Sequence, residues 1–138
     1  MTISLQFTNL TVNDVDEALG FYRDAIGLDV RSDVSNGEFR WLALGPAAQP
    51  GLSIVLSVPH AGRSQADGDA MQELLTKGVL PNIVFSTDDL DGAFERARAW
   101  GAEVLQEPMS QPWGPRDCAF RDPSGNQVRI SEVVRTDG

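Results

Sequence analysis

Alternation of apolar and polar residues predicts a strand over residues 3–12, and a helical spacing of apolar residues follows it. Asp14, with Asn13, provides an N-cap, apolar positions then recur at helical spacing over residues 15–26, and Gly27 is placed to end the helix. Three short strands are predicted next, over residues 28–32, 39–44 and 52–58. Asn36-Gly37 is a strong hairpin turn between the first two of them. This half of the chain therefore predicts the order strand, helix and three strands.

The same order returns after residues 59–79, which we predict to be a linker. This segment begins as a loop rich in Gly, Ser and Asp and ends in a short helix over residues 70–77. The elements predicted after it are a strand at 82–87, a helix at 90–100, a strand at 102–106, a proline-marked loop at 108–112 and a hairpin at 120–132. Shifting this half back by 75 residues places Asp89 on Asp14 and, with one deletion, Gly101 on Gly27. We interpret the pattern as an internal repeat, with modules at about 3–58 and 80–134.

The closing hairpin has a distinctive turn. Asp122-Pro123 and Gly125-Asn126 supply residues that preset or tolerate turn conformations. In the strand after the turn, Val128 and Ile130 point to one side of the sheet and Arg129 to the other. One face of the hairpin is therefore predicted to be apolar and the other polar.

The composition is typical of a soluble globular protein, because 41% of its 138 residues are apolar and 22% are charged. We find no secretory signal, and no apolar run approaches the roughly 18 residues that cross a bilayer. Cys118 is the only cysteine, so an intrachain disulfide is excluded and a cytoplasmic location is expected. On a strand and far in sequence from the only histidine, Cys118 is interpreted as a core residue, with a catalytic thiol as the alternative.

The net charge argues against nucleic-acid binding. The chain has 11 basic and 20 acidic residues, a formal charge of −9, and no basic run. Binding to phosphate backbones needs clustered Lys and Arg. The acidic balance is interpreted as a solvated surface, and the alternative is attraction of a cationic ligand.

Two motifs carry a family resemblance. The first runs from Val12-Asn13-Asp14-Val15-Asp16 through Phe21-Tyr22-Arg23-Asp24 to Ile26-Gly27-Leu28, and the second is Phe120-Arg121-Asp122-Pro123-Ser124-Gly125-Asn126. At this separation they resemble the vicinal oxygen chelate superfamily, which includes glyoxalase I, bleomycin-resistance proteins and extradiol dioxygenases. The resemblance implies an α+β fold of two βαβββ modules, whose mixed sheets curl into a cup with helices outside. It says little about function, since this fold hosts enzymes and plain drug-binding proteins.

The resemblance also implies where a metal ion would be held. The four equivalent positions on the inner strands are Phe7, a residue at or next to Val55, Asn82 and Arg129. Two apolar side chains, one amide and one guanidinium do not form a site for a divalent ion. His60, the only histidine, lies in the predicted linker and is interpreted as an exposed loop residue. We therefore expect no metal and no other cofactor.

Strand alternation from those four positions predicts which side chains face the cup. The predicted cup face comprises Phe7, Asn9, Ser53, Val55, Ser57, Asn82, Val84, Gln127, Arg129 and Ser131. The side chains on the other side of these strands are expected to pack beneath the helices. They are Leu10, Val12, Ile54, Leu56, Ile83, Phe85, Val128 and Ile130. Phe39 and Trp41 are interpreted either as an aromatic wall or as core. Trp113 and Arg116 are predicted at the rim, with a loop anchor as the alternative for Trp113.

Arg129 allows two interpretations. A charge on the cup floor needs a partner, which would be Asp117, Glu132 or a residue across a dimer interface. Alternatively, its guanidinium grips an anionic or carbonyl-bearing ligand.

The sequence favours a small-molecule binding protein of the bleomycin-resistance type, holding a drug or metabolite in the cup without metal. The alternative is a superfamily enzyme, a glyoxalase-like lyase or a dioxygenase-like protein with an unconventional or absent metal site, and a regulatory or scaffold role is the third. No catalytic residue is assigned. The predicted ligand-binding residues are Phe7, Asn9, Trp41, Val55, Asn82, Trp113, Arg116 and Arg129. We expect a homodimer that contacts neither membrane nor nucleic acid.

Overall fold

The computed structural model describes residues 1–133, so residue 134, the predicted end of the second module, lies outside the described part. The first module consists of β1 (Phe7–Thr11), α1 (Val15–Gly20), a π-helical segment (Phe21–Ile26), β2 (Asp29–Asn36), β3 (Phe39–Gly45) and β4 (Ser53–Ser57). A connecting helix, α2 (Gln65–Lys77), follows. The second module consists of β5 (Ile83–Thr87), α3 (Leu90–Trp100), β6 (Glu103–Gln111), β7 (Gly114–Arg121) and β8 (Gln127–Glu132).

Each module forms one mixed sheet with the same strand order. The strand order is β1-β4-β3-β2 in the first sheet and β5-β8-β7-β6 in the second. At one edge of each sheet two strands are parallel, β1 with β4 and β5 with β8. The remaining neighbours are antiparallel. The predicted α+β class and paired βαβββ modules with curled mixed sheets are confirmed, and the described strands do not close into a barrel.

The two modules cap and end their helical segments in the same way. The Asp14 carboxylate accepts a hydrogen bond from the Glu17 backbone N–H at 3.0 Å, and the Asp89 carboxylate caps α3 in the same way at 3.0 Å. The helical segments end at Gly27 and Gly101, with φ of 92° and 105°, a conformation that glycine adopts without a steric penalty.

The limits of several elements differ from the prediction. β1 begins at Phe7 rather than at residue 3, and only the first half of the predicted helix at 15–26 is α-helical. α2 begins at Gln65 rather than at 70, because the Ser64 hydroxyl accepts a hydrogen bond from the Asp67 N–H at 3.1 Å and caps the helix. The predicted loop is therefore correct as far as residue 64 and wrong from Gln65 onward.

The predicted loop at 108–112 is also wrong, because β6 continues to Gln111. Pro108 falls where the register with β7 is irregular, between Gln106 and Met109. Proline has no N–H to donate to a neighbouring strand. Because β6 is the outermost strand of its sheet, Pro108 is tolerated there as it would not be in a central strand.

One hydrophobic cluster joins the two modules. The π-helical segment packs on α3, where the rings of Phe21 and Trp100 meet edge to face with centroids 5.8 Å apart. Phe94 of α3 stacks on Phe120 of β7 at 5.5 Å. The cluster contains or contacts every residue predicted to lie beneath the helices, namely Leu10, Val12, Ile54, Leu56, Ile83, Phe85, Val128 and Ile130. Cys118 lies in the same cluster, as predicted, and burial raises the pKa of its thiol to about 11.

The turn that closes the chain's final hairpin ties the modules together. The Tyr22 hydroxyl donates to the Asp122 carboxylate at 2.6 Å, and the Asn126 amide donates to the Thr11 carbonyl at 2.8 Å. The Asn13 N–H donates to the Ser124 hydroxyl at 2.8 Å. Burial, reinforced by the charge of Asp122, raises the pKa of Tyr22 well above its ordinary value, so the phenol remains a donor. The two sequence motifs therefore meet in space at this junction.

Candidate functional site

The outer faces of the two sheets both turn away from the shared core. Leu10, Leu56 and Ile130 enter that core, so their strand neighbours of opposite parity lie on the outer faces. Within one chain these faces belong to separate sheets, because β1–β4 pair with one another and β5–β8 with one another. The two halves of the predicted cup face are therefore described in turn.

The outer face of the first sheet is aromatic. The ring of Phe7 meets that of Trp41 edge to face, with centroids 5.2 Å apart and planes at 84°. Phe39 is 61% exposed and is therefore not a core residue. Val55 is buried at the centre of this face, paired with Asn9 on one side and Ala43 on the other. This arrangement favours the aromatic wall over the core-packing interpretation of Phe39 and Trp41.

A cavity of about 650 Å³ opens at one end of this face. Pairing of β3 with β4 stops at Leu42 and Leu56, although both strands continue, and residues on both sides of that point line the cavity. Its lining residues include Phe39, Trp41, Val55, Ser57, Asn9 and His60. The Ser57 hydroxyl donates to the Asn9 amide oxygen at 3.3 Å. A smaller cavity of about 260 Å³ lies on the other side of Trp41, against Phe7.

The outer face of the second sheet carries a polar network centred on Asp117. Arg129 donates to the Asp117 carboxylate at 3.2 Å and to the Gln106 amide oxygen at 3.0 Å. Gln106 and Gln111 each donate to the other oxygen of Asp117, at 2.8 Å. Asp117, one of the predicted partners, therefore neutralises Arg129 within the chain.

These hydrogen bonds determine the protonation of Asp117. Burial alone would raise the pKa of its carboxyl group, but the hydrogen bonds from Gln111 and Gln106 and the charge of Arg129 outweigh burial, so the pKa lies below its ordinary value. A carboxyl group whose pKa is lowered by folding stabilises the protein above its unfolded pKa, and this contribution is lost as the pH falls through the folded pKa.

We therefore expect Asp117→Asn to lower the free energy of unfolding by about 1–3 kcal/mol at neutral pH. The difference from the wild type should shrink as the pH falls below about 4, where the carboxyl group of the unfolded chain takes up a proton before that of the folded chain. Urea titrations over a pH series measure this difference. A difference that stays constant down to about pH 2 would show that Asp117 does not contribute through its charge.

The structure brings together only some of the predicted ligand-binding residues. Four of them, Phe7, Asn9, Trp41 and Val55, share the outer face of the first sheet. Asn82 lies just before β5 and Arg129 lies in β8, so both belong to the second module and not to the first sheet. Trp113 lies at the turn between β6 and β7 and is 78% exposed.

Arg116 lies apart from the other candidates. Arg116 lies two residues before the buried Cys118 in β7, so the two side chains are on the same side of the strand. The guanidinium of Arg116 contacts the carboxylates of Asp91, in the first turn of α3, at 2.7 Å and of Glu132 at 3.3 Å. These contacts place it on the helix side of the second sheet rather than at a rim shared with Trp113.

Sequence reasoning missed His60 as a residue of the cavity. The histidine lies in the loop after β4, and it lines the same cavity as Trp41. It was assigned to the linker because of the composition of the residues that follow it. Its position two residues after Val58, at the end of a strand of the predicted cup, was the available signal.

The residues present do not fit a divalent metal. Of the four positions implied by the family, Phe7 and Val55 have no donor atom, Asn82 has a single amide, and Arg129 is already bound to Asp117. Among residues 1–133, no group of three or more His, Cys, Asp or Glu side chains could hold a metal ion.

A family model described as the Glyoxalase/Bleomycin resistance protein/Dioxygenase superfamily matches residues 4–130. The chain belongs to this superfamily. The uncharacterized protein YurT of Bacillus subtilis (strain 168) is 30% identical over 125 residues, which cover 89% of this chain and 94% of YurT. None of the helices in the described part of this superfamily member is long and apolar enough to span a membrane.

Two solved structures resemble the chain over nearly its whole length. UcmS2 is 32% identical, with a TM-score of 0.84, and the match covers 95% of this chain and 98% of UcmS2. TnmS3, an antibiotic binding protein from Streptomyces sp. CB03234, is 28% identical, with a TM-score of 0.75, and the match covers 97% of this chain and 99% of TnmS3. The superfamily fold is therefore shared along the chain.

Proposed function

We propose that the protein binds a small molecule, a drug or a metabolite, in the cavity on the first sheet and without a metal ion. The observation that carries the proposal is the cavity of about 650 Å³ with Phe39 and Trp41 in its wall and a few polar groups beside them. Cavities of this size with apolar walls and a few placed polar groups are typical of small-molecule sites.

The chemistry of the four family positions supports the metal-free part of the proposal. A carboxylate or imidazole would be needed where Phe7, Val55 and Asn82 stand, and Arg129 brings a positive charge to the fourth position. No catalytic step is assigned to the site. The likeness to TnmS3 supports an antibiotic as one class of ligand for this chain.

We also propose that two copies pair, and that each copy covers the open sheet faces of the other. Large apolar side chains that are exposed in the single chain support this pairing, since covering them removes apolar surface from water. They are Val84, at 58% exposure, Met109 and Trp113 of the second module and Phe39 of the first. The location proposed for the dimer is the cytoplasm, in keeping with the single cysteine.

Metal analysis of the purified protein, followed by thermal unfolding with 2-naphthol as a planar aromatic probe, tests the binding proposal. We expect less than stoichiometric metal and an increase in Tm with 2-naphthol that a chelator leaves unchanged. Stoichiometric metal whose removal abolishes the increase would overturn the proposal and favour the enzyme alternative. The absence of any probe-dependent shift would count against a cavity that binds aromatic molecules.

Size-exclusion chromatography with light scattering tests the pairing. We expect a mass of twice the 15.0 kDa chain at micromolar concentration. The variant Trp113→Ser should weaken the association, because it removes the most exposed aromatic side chain of the described residues. A wild-type mass of one chain at every concentration would refute the dimer and leave the binding proposal to its own test.

A further inference from the structure

The only histidine of the chain borders the cavity and is held by an aspartate. His60 lines the cavity from the loop after β4, and its Nε2 lies 2.8 Å from a carboxylate oxygen of Asp69 in α2. The side chain of His60 is 41% exposed, so a molecule in the cavity can reach the ring.

Helix α2 carries a glycine at the place where the ring packs. A Cβ atom built on Gly68 would overlap the imidazole carbons of His60. Glycine weakens the interior of a helix, and such a position has a packing reason when another group approaches the backbone closely. Gly68 therefore makes room for the ring, and Asp69 beside it fixes the ring's orientation.

The aspartate also determines which ring nitrogen carries the hydrogen. A carboxylate only accepts hydrogen bonds, so the Nε2 of a neutral His60 must be the N–H donor. The Gln65 amide donates to the same oxygen of Asp69 at 2.9 Å, and its nitrogen is 3.4 Å from Nε2 because two donors share one acceptor. Nδ1 is left with a free lone pair and has no hydrogen-bond partner within residues 1–133.

We propose that His60 is a specificity-determining residue, whose Nδ1 accepts a hydrogen bond from a hydroxyl or N–H group of the bound molecule. The inference rests on the proposed binding function and narrows it to aromatic molecules that carry a hydrogen-bond donor, such as phenols and aryl amines. A molecule with only acceptor oxygens gains nothing from this nitrogen.

A matched pair of probes tests this inference. 2-Naphthol and 2-methoxynaphthalene share one aromatic frame, but only the naphthol has a donor. At about pH 8, where an ordinary imidazole is neutral, we expect the wild type to bind 2-naphthol roughly three- to tenfold more tightly in calorimetry, the effect of one hydrogen bond. His60→Phe should abolish this preference and keep the affinity for 2-methoxynaphthalene.

A second variant moves the ring without removing it. Gly68→Ala keeps both His60 and Asp69 but fills the space under the imidazole, so it should also abolish the preference. Gln72→Ala, a change on the same helix at a residue outside the cavity lining, is the control and should keep the wild-type preference. Circular dichroism of each variant establishes that it is folded.

Because the chain has one histidine, ¹⁵N NMR of the imidazole reports on His60 alone. The Nδ1 signal should be that of an unprotonated nitrogen and should move with 2-naphthol but not with 2-methoxynaphthalene. A protonated Nδ1, or equal binding of both probes by the wild type and His60→Phe, would overturn the inference and leave the proposed function standing. Failure of both probes to bind the wild type would instead overturn the proposed function, and the inference with it.

Discussion

Replacement of Asp122 by alanine is expected to lower the free energy of unfolding by about 3–5 kcal/mol. The side chain is buried, and its two oxygens accept four hydrogen bonds, from the Tyr22 hydroxyl, the Ser124 and Asn126 N–H groups and the Asn126 side-chain amide. Alanine would leave these donors without their acceptor, and an unsatisfied buried donor costs more than its hydrogen bond contributes. Because the turn joins the two modules, the loss should appear as destabilisation of the whole chain.

Urea unfolding followed by circular dichroism measures this loss as a lower midpoint at an unchanged slope. Tyr22→Phe removes a single donor and should cost only about 1–2 kcal/mol. Asp24→Ala, at an exposed ion pair with Arg23 in the same helical segment, is the matched control and should change the midpoint little. An Asp122→Ala midpoint as close to the wild type as that of Asp24→Ala would show that the junction does not depend on this carboxylate.

Much of the fold could be predicted because local chemistry and the global pattern agree. Asp14 and Asp89 cap helices through their own side chains, and Gly27 and Gly101 end helical segments by adopting positive φ, so both signals act within a few residues. Strand alternation then identified which side of each strand enters the core. These features depend on short sequence distances, and a repeat that shows them twice is hard to produce by chance.

Features that depend on contacts between distant residues could not be predicted in this way. The charge of Arg129 required a partner, but the choice between Asp117 and Glu132 depends on the register of β7 with β8, in which Asp117 lies opposite Ser131. The extension of β6 past Pro108 depends on its position at the sheet edge. Both are tertiary outcomes that override local preference.

The candidate site likewise contains features that the sequence pattern predicted and features that depend on contacts between distant residues. Trp41 was predicted either in an aromatic wall or in the core, and it lies in the cavity wall. The cavity lies where β3 and β4 stop pairing, at Leu42 and Leu56, and no local sequence pattern predicts that end of the pairing. The position of His60 just after a predicted cup strand was visible in the sequence, but its contacts with Asp69 and Gly68 depend on a helix that begins five residues earlier than predicted.

Replacement of Trp41 by alanine is expected to weaken binding of 2-naphthol by about thirtyfold or more, the effect typical of removing a central aromatic anchor. The indole lies between the two cavities and is braced edge to face by Phe7, so its removal would merge them and leave a planar ligand without a rigid wall. Trp41→Phe keeps an aromatic ring and should lose less affinity than Trp41→Ala. Calorimetry with each variant measures the change.

The chain has three tryptophans, and variants of the other two serve as comparisons for Trp41→Ala. Trp100→Ala changes a ring that packs on Phe21 between the modules, away from the larger cavity, and should leave the affinity for 2-naphthol unchanged while lowering Tm. Trp113→Ala should weaken binding only if a second copy brings this exposed ring to the cavity. A loss of affinity in this variant would therefore show that the binding site includes the partner copy. If Trp41→Ala bound the probe as the wild type does while remaining folded, the aromatic wall of the first sheet would not be the binding surface, and the outer face of the second sheet would take its place as the candidate.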